Sequence, residues 1–367
     1  MTPLLPSGFA DRLPPFADAA AALEARVLAV AHAHGYERAD PPLVEFADGL
    51  ATRLKAGGLR DAVRFVDPVG QATLAIRPDL TAQVARIAAT RMGHHPRPLR
   101  LSYAGPVLKL RASELAPSRE QRQIGCELIG LDTVPAAVEV VGIAAEALAA
   151  IGATALSIDL TLPDLVDTLV AGPLPVPPDR RGALRDRLDA KDAASVAAIA
   201  PAYLPLIEAA GPFARALERL RAFDTTGALA TRLDGLARLA QALEGRATLT
   251  LGPTERHGFE YQSWLGFSLF VAGASAEIGR GGTYTLLHES GAEEVATGFS
   301  LFPDTLVATA PAPQRRRLFL PQGTPPADGA AMRADGWVTV AALEAGDTPE
   351  AQLCTHMWRD GEAAALS

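Results

Sequence analysis

The sequence predicts an α+β fold in which helices flank an antiparallel sheet, with a helical insertion and a small C-terminal β-α-β-like module. Two nearby segments, 98–111 and 121–130, have the pattern of antiparallel strands joined by a polar loop, and the second alternates polar and apolar residues. Residues 163–246 have the composition of short helices, rich in Ala, Arg and Leu. The Pro- and Ala-rich stretch 310–314 is typical of a linker, and strand and helix patterns resume after it.

The first part of the chain predicts two helices around a hairpin. Apolar residues recur at helical spacing in 16–34, and Gly35 follows where a left-handed C-cap belongs. An extended piece at 36–44 comes next, and then a hairpin at 63–76 with an Asp-Pro-Val-Gly turn. A second helix is expected at 78–92 because Pro and Asp open it.

The remaining core elements follow from the same signals. We expect a helix at 135–151, strands at 154–160, 248–271 and 295–301, and a closing helix at 302–308. Residues 279–284, Gly-Arg-Gly-Gly-Thr-Tyr, are expected to form a tight loop. This segment lacks the lysine and the strand-to-helix context of a Walker loop, so it predicts no phosphate site.

Two domains are therefore expected. The first is a core at 1–309 that contains the helical insertion at about 163–246. The second is a module at 310–367. Its patterns predict strands at 318–320 and 338–342, a helix at 325–333 and a hairpin at 354–364.

Charge and composition exclude several kinds of partner. The chain has 34 basic and 42 acidic residues, a net charge of -8, and no basic stripe of the kind that grips nucleic acid. The apolar segment at 136–151 is too short and too acidic to span a membrane. Two distant cysteines, Cys126 and Cys354, do not form a disulfide framework, and the first residues lack a secretory signal pattern. We expect a cytoplasmic protein whose partners are small molecules or other proteins.

Asp79 and Thr81 follow a strand and an Arg-Pro pair, at the start of a helix. An aspartate there commonly caps the first backbone amides, and this structural role is the ordinary explanation of Asp79. Because both side chains carry oxygen acceptors, they are also candidates for binding a ligand ammonium group.

Gln123 and Glu127 lie four residues apart on a strand and so face the same side of the sheet. Gly125 between them leaves room above the strand. A buried carboxylate needs a partner, and an internal arginine is one possibility. The other is the ammonium group of a ligand, whose three donors match carboxylate and amide oxygens.

Other motifs are weaker. Tyr261 shares a strand face with Phe259 and Ser263, and alone it fits a core tyrosine with a solvated hydroxyl. His94 and His95 lack a correctly spaced third ligand, so no metal site is expected. No nucleophile motif is present, and we expect no catalytic residue and no cofactor.

Taken in order, these segments resemble the catalytic core of a histidyl-tRNA synthetase, a class II aminoacyl-tRNA synthetase, over about residues 5–308. The stretches that carry the resemblance are 35–45 with Pro42, 77–82, 103–107, 123–130 and 281–284. The resemblance implies a homodimeric core. It also implies that Asp79, Thr81, Gln123 and Glu127 hold the amino group of histidine, with Tyr261 beside them.

The departures from that family fall on the positions that handle ATP. Lys109 and Arg111 stand where the family has the arginine and glutamate of its second motif, and Thr305 stands where the third motif has an arginine. His257 replaces the arginine of the histidine signature, although Arg256 is adjacent. Each lost phosphate contact removes roughly 10²–10³-fold of rate, so the altered positions predict that adenylation is lost.

The pattern also resembles the synthetase-like regulatory subunits of ATP phosphoribosyltransferase. In that family the chain is not catalytic. It pairs with a short-form catalytic subunit, which carries out the first step of histidine biosynthesis, and it is needed for activity and for feedback inhibition by L-histidine. The resemblance leaves two places for the effector, the pocket of Asp79, Thr81, Gln123, Glu127 and Tyr261 or a nearby subunit boundary. Two alternatives stay open at this point: an active histidyl-tRNA synthetase, or a synthetase paralogue that serves another partner.

Overall fold

The computed structural model describes residues 5–51, 62–111, 118–256, 262–274, 276–288, 291–307 and 316–366. The chain divides into two compact units, Met1–Ala310 and Pro311–Ser367. Within the described ranges, no helix has the length and apolar character that crossing a bilayer would require.

The larger unit is built on twelve described strands. In chain order they are β1 (Glu37–Arg38), β2 (Val44–Phe46), β3 (Arg64–Val66), β4 (Thr73–Ile76), β5 (Leu99–Leu108), β6 (Glu120–Ile129), β7 (Ser157–Thr161), β8 (Gly211–Pro212), β9 (Thr248–Leu251), β10 (Gln262–Phe270), β11 (Gly279–Leu287) and β12 (Glu293–Leu301). Nine of them form one sheet, in the order β1-β5-β6-β12-β11-β10-β7-β9-β8. The pairs from β5 across to β7 are antiparallel, as the sequence predicts.

Helices surround this sheet. They are α1 (Phe16–Ala33), α2 (Ala47–Ala51), α3 (Thr81–Thr90), α4 (Val134–Ala150), α5 (Leu165–Ala171), α6 (Pro178–Asp189), α7 (Ala193–Ile199), α8 (Pro205–Glu208), α9 (Phe213–Phe223), α10 (Ala230–Ala242) and α11 (Asp304–Val307). Helices α5 to α10 follow β7 and precede β9, where the sequence predicts a helical insertion. Leu184 of α6 and Leu236 of α10 are fully buried in the same apolar cluster as the sheet.

The two faces of β6 have different neighbours. Ile124 and Cys126 pack into the main apolar core with Val27 of α1 and Val140 of α4. The opposite face meets α3, since Leu80 at the start of that helix donates its backbone N–H to the Gln123 side chain. The predicted alternation along this strand is therefore confirmed.

A three-stranded sheet, β2-β4-β3, precedes α3. The predicted hairpin of β3 and β4 forms, and the Asp67 carboxylate accepts the backbone N–H of Val69 at 3.1 Å and of Gly70 at 2.8 Å. After β4 comes Arg77, whose buried guanidinium donates to the carbonyls of Pro41 and Pro106 at 2.7 and 2.8 Å. Arg77 thus joins the segment before β2 to the end of β5.

The prediction of a tight loop at 279–284 is wrong, because these residues begin strand β11. Glycine is needed at positions 279 and 281 because the neighbouring strands pack too closely to leave room for a side chain. A Cβ on Gly281 would lie 2.3 Å from the carbonyl oxygen of Gly298 on β12 and 2.4 Å from the ring of Phe267 on β10. Gly279 and Gly281 are thus required by close neighbours on both sides, and this requirement is invisible in the sequence.

The smaller unit contains β13 (Arg317–Leu320), α12 (Pro326–Ala334), β14 (Val338–Ala341), β15 (His356–Arg359) and β16 (Glu362–Ala365). Its sheet has the order β14-β13-β15-β16, with the first three strands parallel. Asp360 and Gly361, with φ of 53° and 87°, form the turn of the predicted hairpin. The predicted strands and helix of this unit are confirmed.

Candidate functional site

The structure brings four of the predicted residues together on the α3 side of the central sheet. Asp79 and Thr81 lie at the start of α3, and Gln123 and Glu127 project from β6. Gln123 is 0% exposed and Glu127 is 1% exposed. Tyr261 and His257 lie outside the described residues.

Glu127 lies at the centre of this cluster. One carboxylate oxygen accepts the hydroxyl of Tyr103 of β5 at 2.9 Å, and the other accepts the hydroxyl of Tyr284 of β11. Gly298 of β12 lies directly beneath, because a Cβ there would be 1.7 Å from the Glu127 carboxylate. Three strands therefore contribute to the position of this one carboxyl group.

Gln123 connects the sheet to the start of α3. Its amide oxygen accepts the Leu80 N–H at 2.9 Å, and its amide nitrogen donates to Asp79 at 3.2 Å and to the Ser300 hydroxyl at 2.8 Å. Asp79 also accepts the backbone N–H of Thr81 at 2.6 Å. Asp79 thus makes the capping-type contact expected of it and remains part of the cluster.

Three residues of this cluster were not singled out by the sequence. Tyr103 contacts Thr81 at 2.9 Å and Ser300 at 3.0 Å as well as Glu127, and Tyr284 completes the carboxylate contacts. Both tyrosines belong to stretches that carry the family resemblance. Alternation along β5 and β12 places Tyr103 and Ser300 on the same side as Gln123, but only the strand order makes them neighbours.

Burial controls the protonation of these groups. It raises the pKa of Glu127 to about 8, although the hydroxyls of Tyr284 and Tyr103 act in the opposite direction. Burial also raises the pKa of Asp79, against the hydrogen bonds from Thr81 and Gln123. The internal arginine considered for Glu127 is not found among the described residues, where its partners are hydroxyl groups. Within the described part of the chain, the cluster offers a set of acceptors without a cation.

The altered positions lie at the ends of β5 and β12. The ammonium group of Lys109 lies 5.7 Å from the centre of the Phe302 ring, and Arg111 is exposed. Thr305 is exposed on α11, while its neighbour Asp304 pairs with Arg12 at 2.7 Å and accepts the Arg122 N–H at 2.8 Å. A threonine hydroxyl has no positive charge, so this position cannot clamp a phosphate as an arginine does.

Arg256 contacts the helical insertion. Its guanidinium pairs with Asp186 of α6 at 3.2 Å, and its backbone N–H donates to Asp189 at 3.1 Å. The adjacent Glu255 pairs with Lys191 at 2.6 Å. Arg256 therefore contributes to holding the chain against α6.

Metal binding has no support in the described residues, where no group of three His, Cys, Asp or Glu side chains is arranged to hold an ion. A cleft of about 250 Å³ lies on a different part of the unit, next to the start of α4 and α10. It is lined by Asp132, Thr133, Val134, Thr231, Arg232 and Trp264.

Comparison with known proteins gives consistent results. Residues 8–306 match the family model described as histidyl-tRNA synthetase. The chain is 44% identical to the ATP phosphoribosyltransferase regulatory subunit of Rhodospirillum centenum, covering 98% of this chain and 95% of that protein. It is also 44% identical to the protein of the same name from Paramagnetospirillum magneticum, covering 96% and 95%.

Solved structures show the same fold. A protein from Bacillus halodurans, described as an ATP phosphoribosyltransferase regulatory subunit/histidyl-tRNA synthetase, superposes with a TM-score of 0.78 at 21% identity, over 96% of both chains. Histidyl-tRNA synthetase from Nostoc superposes with a TM-score of 0.76 at 14% identity, over 96% of this chain and 90% of that one. The class II synthetase-like fold is thereby confirmed.

Proposed function

The chain belongs to the family of ATP phosphoribosyltransferase regulatory subunits, and from this membership we propose that it is the non-catalytic regulatory subunit of that enzyme. In this role it acts on the first step of histidine biosynthesis. It is required there for the activity of a short-form catalytic subunit and for feedback inhibition by L-histidine.

One observation carries the proposal: the similarity to regulatory subunits extends over nearly the whole chain, including the smaller unit. The altered positions support it. Lys109, Arg111 and Thr305 replace residues that a class II synthetase uses to hold ATP, and Thr305 brings no charge to that place. A fold whose ATP-holding residues are altered retains a use in binding and assembly.

We propose the cluster around Glu127 as the place where the amino group of histidine binds. Asp79, Thr81, Gln123 and Glu127 supply oxygen acceptors in a buried setting, where a charge-assisted hydrogen bond is strong. Tyr261, which follows the described part of the signature segment, is proposed to lie beside them. His257 stands where a synthetase has an arginine, so the contact with the imidazole ring would differ from that of a synthetase.

Reconstitution tests the function. The purified chain is mixed with the short-form catalytic subunit of the same organism, and transfer of the phosphoribosyl group to ATP is measured with and without L-histidine. We expect activity only when both chains are present, and inhibition by L-histidine but not by D-histidine. Full activity of the catalytic subunit alone, unchanged by this chain, would contradict the proposal.

The synthetase alternative rests on the fold and on the family model that matches residues 8–306. The solved histidyl-tRNA synthetase from Nostoc is 14% identical to this chain, and this similarity supports a shared fold but not a shared activity. Histidine-dependent exchange of pyrophosphate into ATP distinguishes the two functions. We expect no exchange above the background without enzyme, and clear exchange would replace the regulatory function with ligase activity.

Assembly and location are further proposals. We propose a hetero-oligomer with the catalytic subunit, built on a homodimer of this chain that involves the first-motif segment 35–45. Light scattering coupled to size exclusion measures the masses of the homodimer and of the hetero-oligomer.

Cys126 and Cys354 are free and buried, which suits a reducing compartment such as the cytoplasm. We also propose that the chain has two domains, residues 1–309 and residues 310–367.

A further inference from the structure

The carboxyl group of Glu127 is bonded to protein groups on both of its oxygens. Tyr103 occupies one oxygen and Tyr284 the other, and the side chain is 1% exposed. The charge of a carboxylate in such a place requires a cation or several donors, because burial removes its hydration. Among the described residues, the donors here are neutral hydroxyls, those of Tyr103, Tyr284 and Thr81.

The groups that face Glu127 come from four neighbouring elements. They are Tyr103 of β5, Tyr284 of β11, Ser300 of β12, and Asp79 with Thr81 at the start of α3. On β6 itself, Gln123 lies on the same face, and Cys126 lies on the other. Among the described residues, the charged neighbour that acts on Glu127 is Asp79, which is another acid. The local charge therefore favours a neutral Glu127.

The hydroxyl network can accommodate a proton on Glu127 without losing a hydrogen bond. The Tyr103 hydroxyl lies 2.9 Å from the Thr81 hydroxyl and 3.0 Å from the Ser300 hydroxyl, and either oxygen of each pair can donate. If Glu127 is protonated and donates to Tyr103, the Tyr103 hydroxyl donates to Ser300 or Thr81. If Glu127 is ionised, the direction of this chain reverses.

From this geometry we infer that the empty pocket holds Glu127 as a neutral carboxylic acid, and that an entering protonated amine expels its proton to solvent. The inference rests on the proposed function, since it assigns the entering amine to the histidine pocket. No covalent bond changes. The ammonium group enters with its charge, the carboxyl proton leaves to the buffer, and the pocket gains an ion pair in place of a neutral hydrogen-bonded acid.

Burial of Glu127 and the positive charge of the ligand both favour this exchange. Burial raises the pKa of Glu127 to about 8, so the acid is mostly protonated at neutral pH while the pocket is empty. An opposite charge at contact distance favours the ionised form and lowers the pKa again. Histidine binding is then linked to pH, and between pH 7 and pH 8 the affinity rises about fivefold as the ionised fraction of Glu127 rises.

Titration calorimetry in two buffers tests the inference. L-histidine is added to the full-length chain at pH 7.0 in phosphate, which ionises with little heat, and in Tris, which ionises with much heat. We expect the difference between the two heats to correspond to nearly one proton released per histidine. Equal heats in both buffers, or no binding heat in either buffer, would overturn the inference.

Two variants identify the source of the proton. Glu127→Gln is expected to bind histidine more weakly and to release almost no proton, while the matched control Glu146→Gln is expected to behave as wild type. Glu146 is half exposed and pairs with His34 at 3.0 Å, and it lies on α4, which packs on the other face of β6 from Glu127. Proton release that persists in Glu127→Gln would overturn the assignment to Glu127.

The wild-type chain alone provides a second measurement that does not depend on how a variant folds. Proton release measured in the same buffer pairs is expected to fall to about half between pH 7 and pH 8, because Glu127 is then ionised before histidine arrives. Constant release over this range would contradict the inference. Activation of the catalytic subunit is measured on the same samples. If activation is seen without proton release, the inference fails alone, and if activation is absent, the proposed function fails.

Discussion

At the residue scale, the protonation of Glu127 depends more on the groups around it than on the residue type. A glutamate on a strand is ordinarily ionised and solvated, but here three strands and the start of α3 enclose it. Its partners are the hydroxyls of Tyr103 and Tyr284, and a Cβ at Gly298 would occupy the space of its carboxylate. These contacts fix the position of the carboxyl group, and each of its oxygens keeps a further acceptor site for a ligand donor.

The raised pKa of Glu127 predicts how stability depends on pH. The folded chain keeps this proton up to about pH 8, whereas the unfolded chain releases it near the ordinary value of 4.5. Between these values the folded state binds more protons, so the free energy of unfolding falls as pH rises, by at most about 1.4 kcal/mol per pH unit. Urea unfolding at pH 5, 6.5 and 8 should show this fall in wild type relative to Glu127→Gln. Parallel pH dependence in the two proteins would contradict it.

Tyr284→Phe is predicted to weaken the fold and the pocket together. It removes one of the two hydroxyl donors to Glu127 and leaves a buried oxygen without its partner, at a cost of about 1–3 kcal/mol. Tyr203→Phe is the matched control, since its hydroxyl donates to the Leu174 carbonyl at 2.7 Å within the insertion. Chemical unfolding and histidine inhibition are measured for both. An unchanged histidine response in Tyr284→Phe would separate Tyr284 from the pocket.

At the element scale, the glycines of β11 show how closely the central strands are packed. Gly281 faces the Gly298 carbonyl of one neighbouring strand and the Phe267 ring of the other. A backbone oxygen in a sheet cannot move aside without breaking the ladder. The identity of these residues is fixed by the sheet and not by a turn, which corrects the interpretation that the sequence favours.

Gly281→Ala is therefore predicted to destabilise the larger unit by roughly 1–3 kcal/mol through overpacking. Gly182→Ala is the control, because the space around Gly182 in α6 is open and alanine favours a helix by about 0.5–1 kcal/mol. The midpoint temperature of thermal unfolding should fall for Gly281→Ala and rise for Gly182→Ala. A neutral Gly281→Ala would mean that β10 to β12 can separate more easily than their packing indicates.

At the scale of the whole molecule, the two compact units predict separable folding. Each has its own apolar cluster, and that of the smaller unit centres on Leu318, Leu320 and Trp337. A fragment that ends at Ala310 should fold, keep the circular dichroism of the larger unit and retain the fold of the pocket. Limited proteolysis of the full chain provides the comparison. A fragment that is unfolded would show that the larger unit depends on residues 311–367.

The sequence by itself determined the α+β class, the antiparallel strands β5 and β6, the hairpin of β3 and β4 and the elements of the smaller unit. These follow from local signals: alternation along one strand, a turn of fixed composition, and apolar residues at helical spacing. The same alternation put Gln123 and Glu127 on one face. The altered positions Lys109, Arg111 and Thr305 could also be identified from the order of residues alone.

Only the tertiary structure decided what surrounds Glu127 and why positions 279 and 281 require glycine. Tyr103 on β5 is far in sequence from Tyr284 on β11 and Ser300 on β12, and the strand order that joins them is not written in any local pattern. Burial, too, is a property of the assembled fold, and it changes the protonation of an ordinary carboxyl group. For that reason the sequence could name the acceptors of the pocket, while the proton they hold depends on how the strands pack.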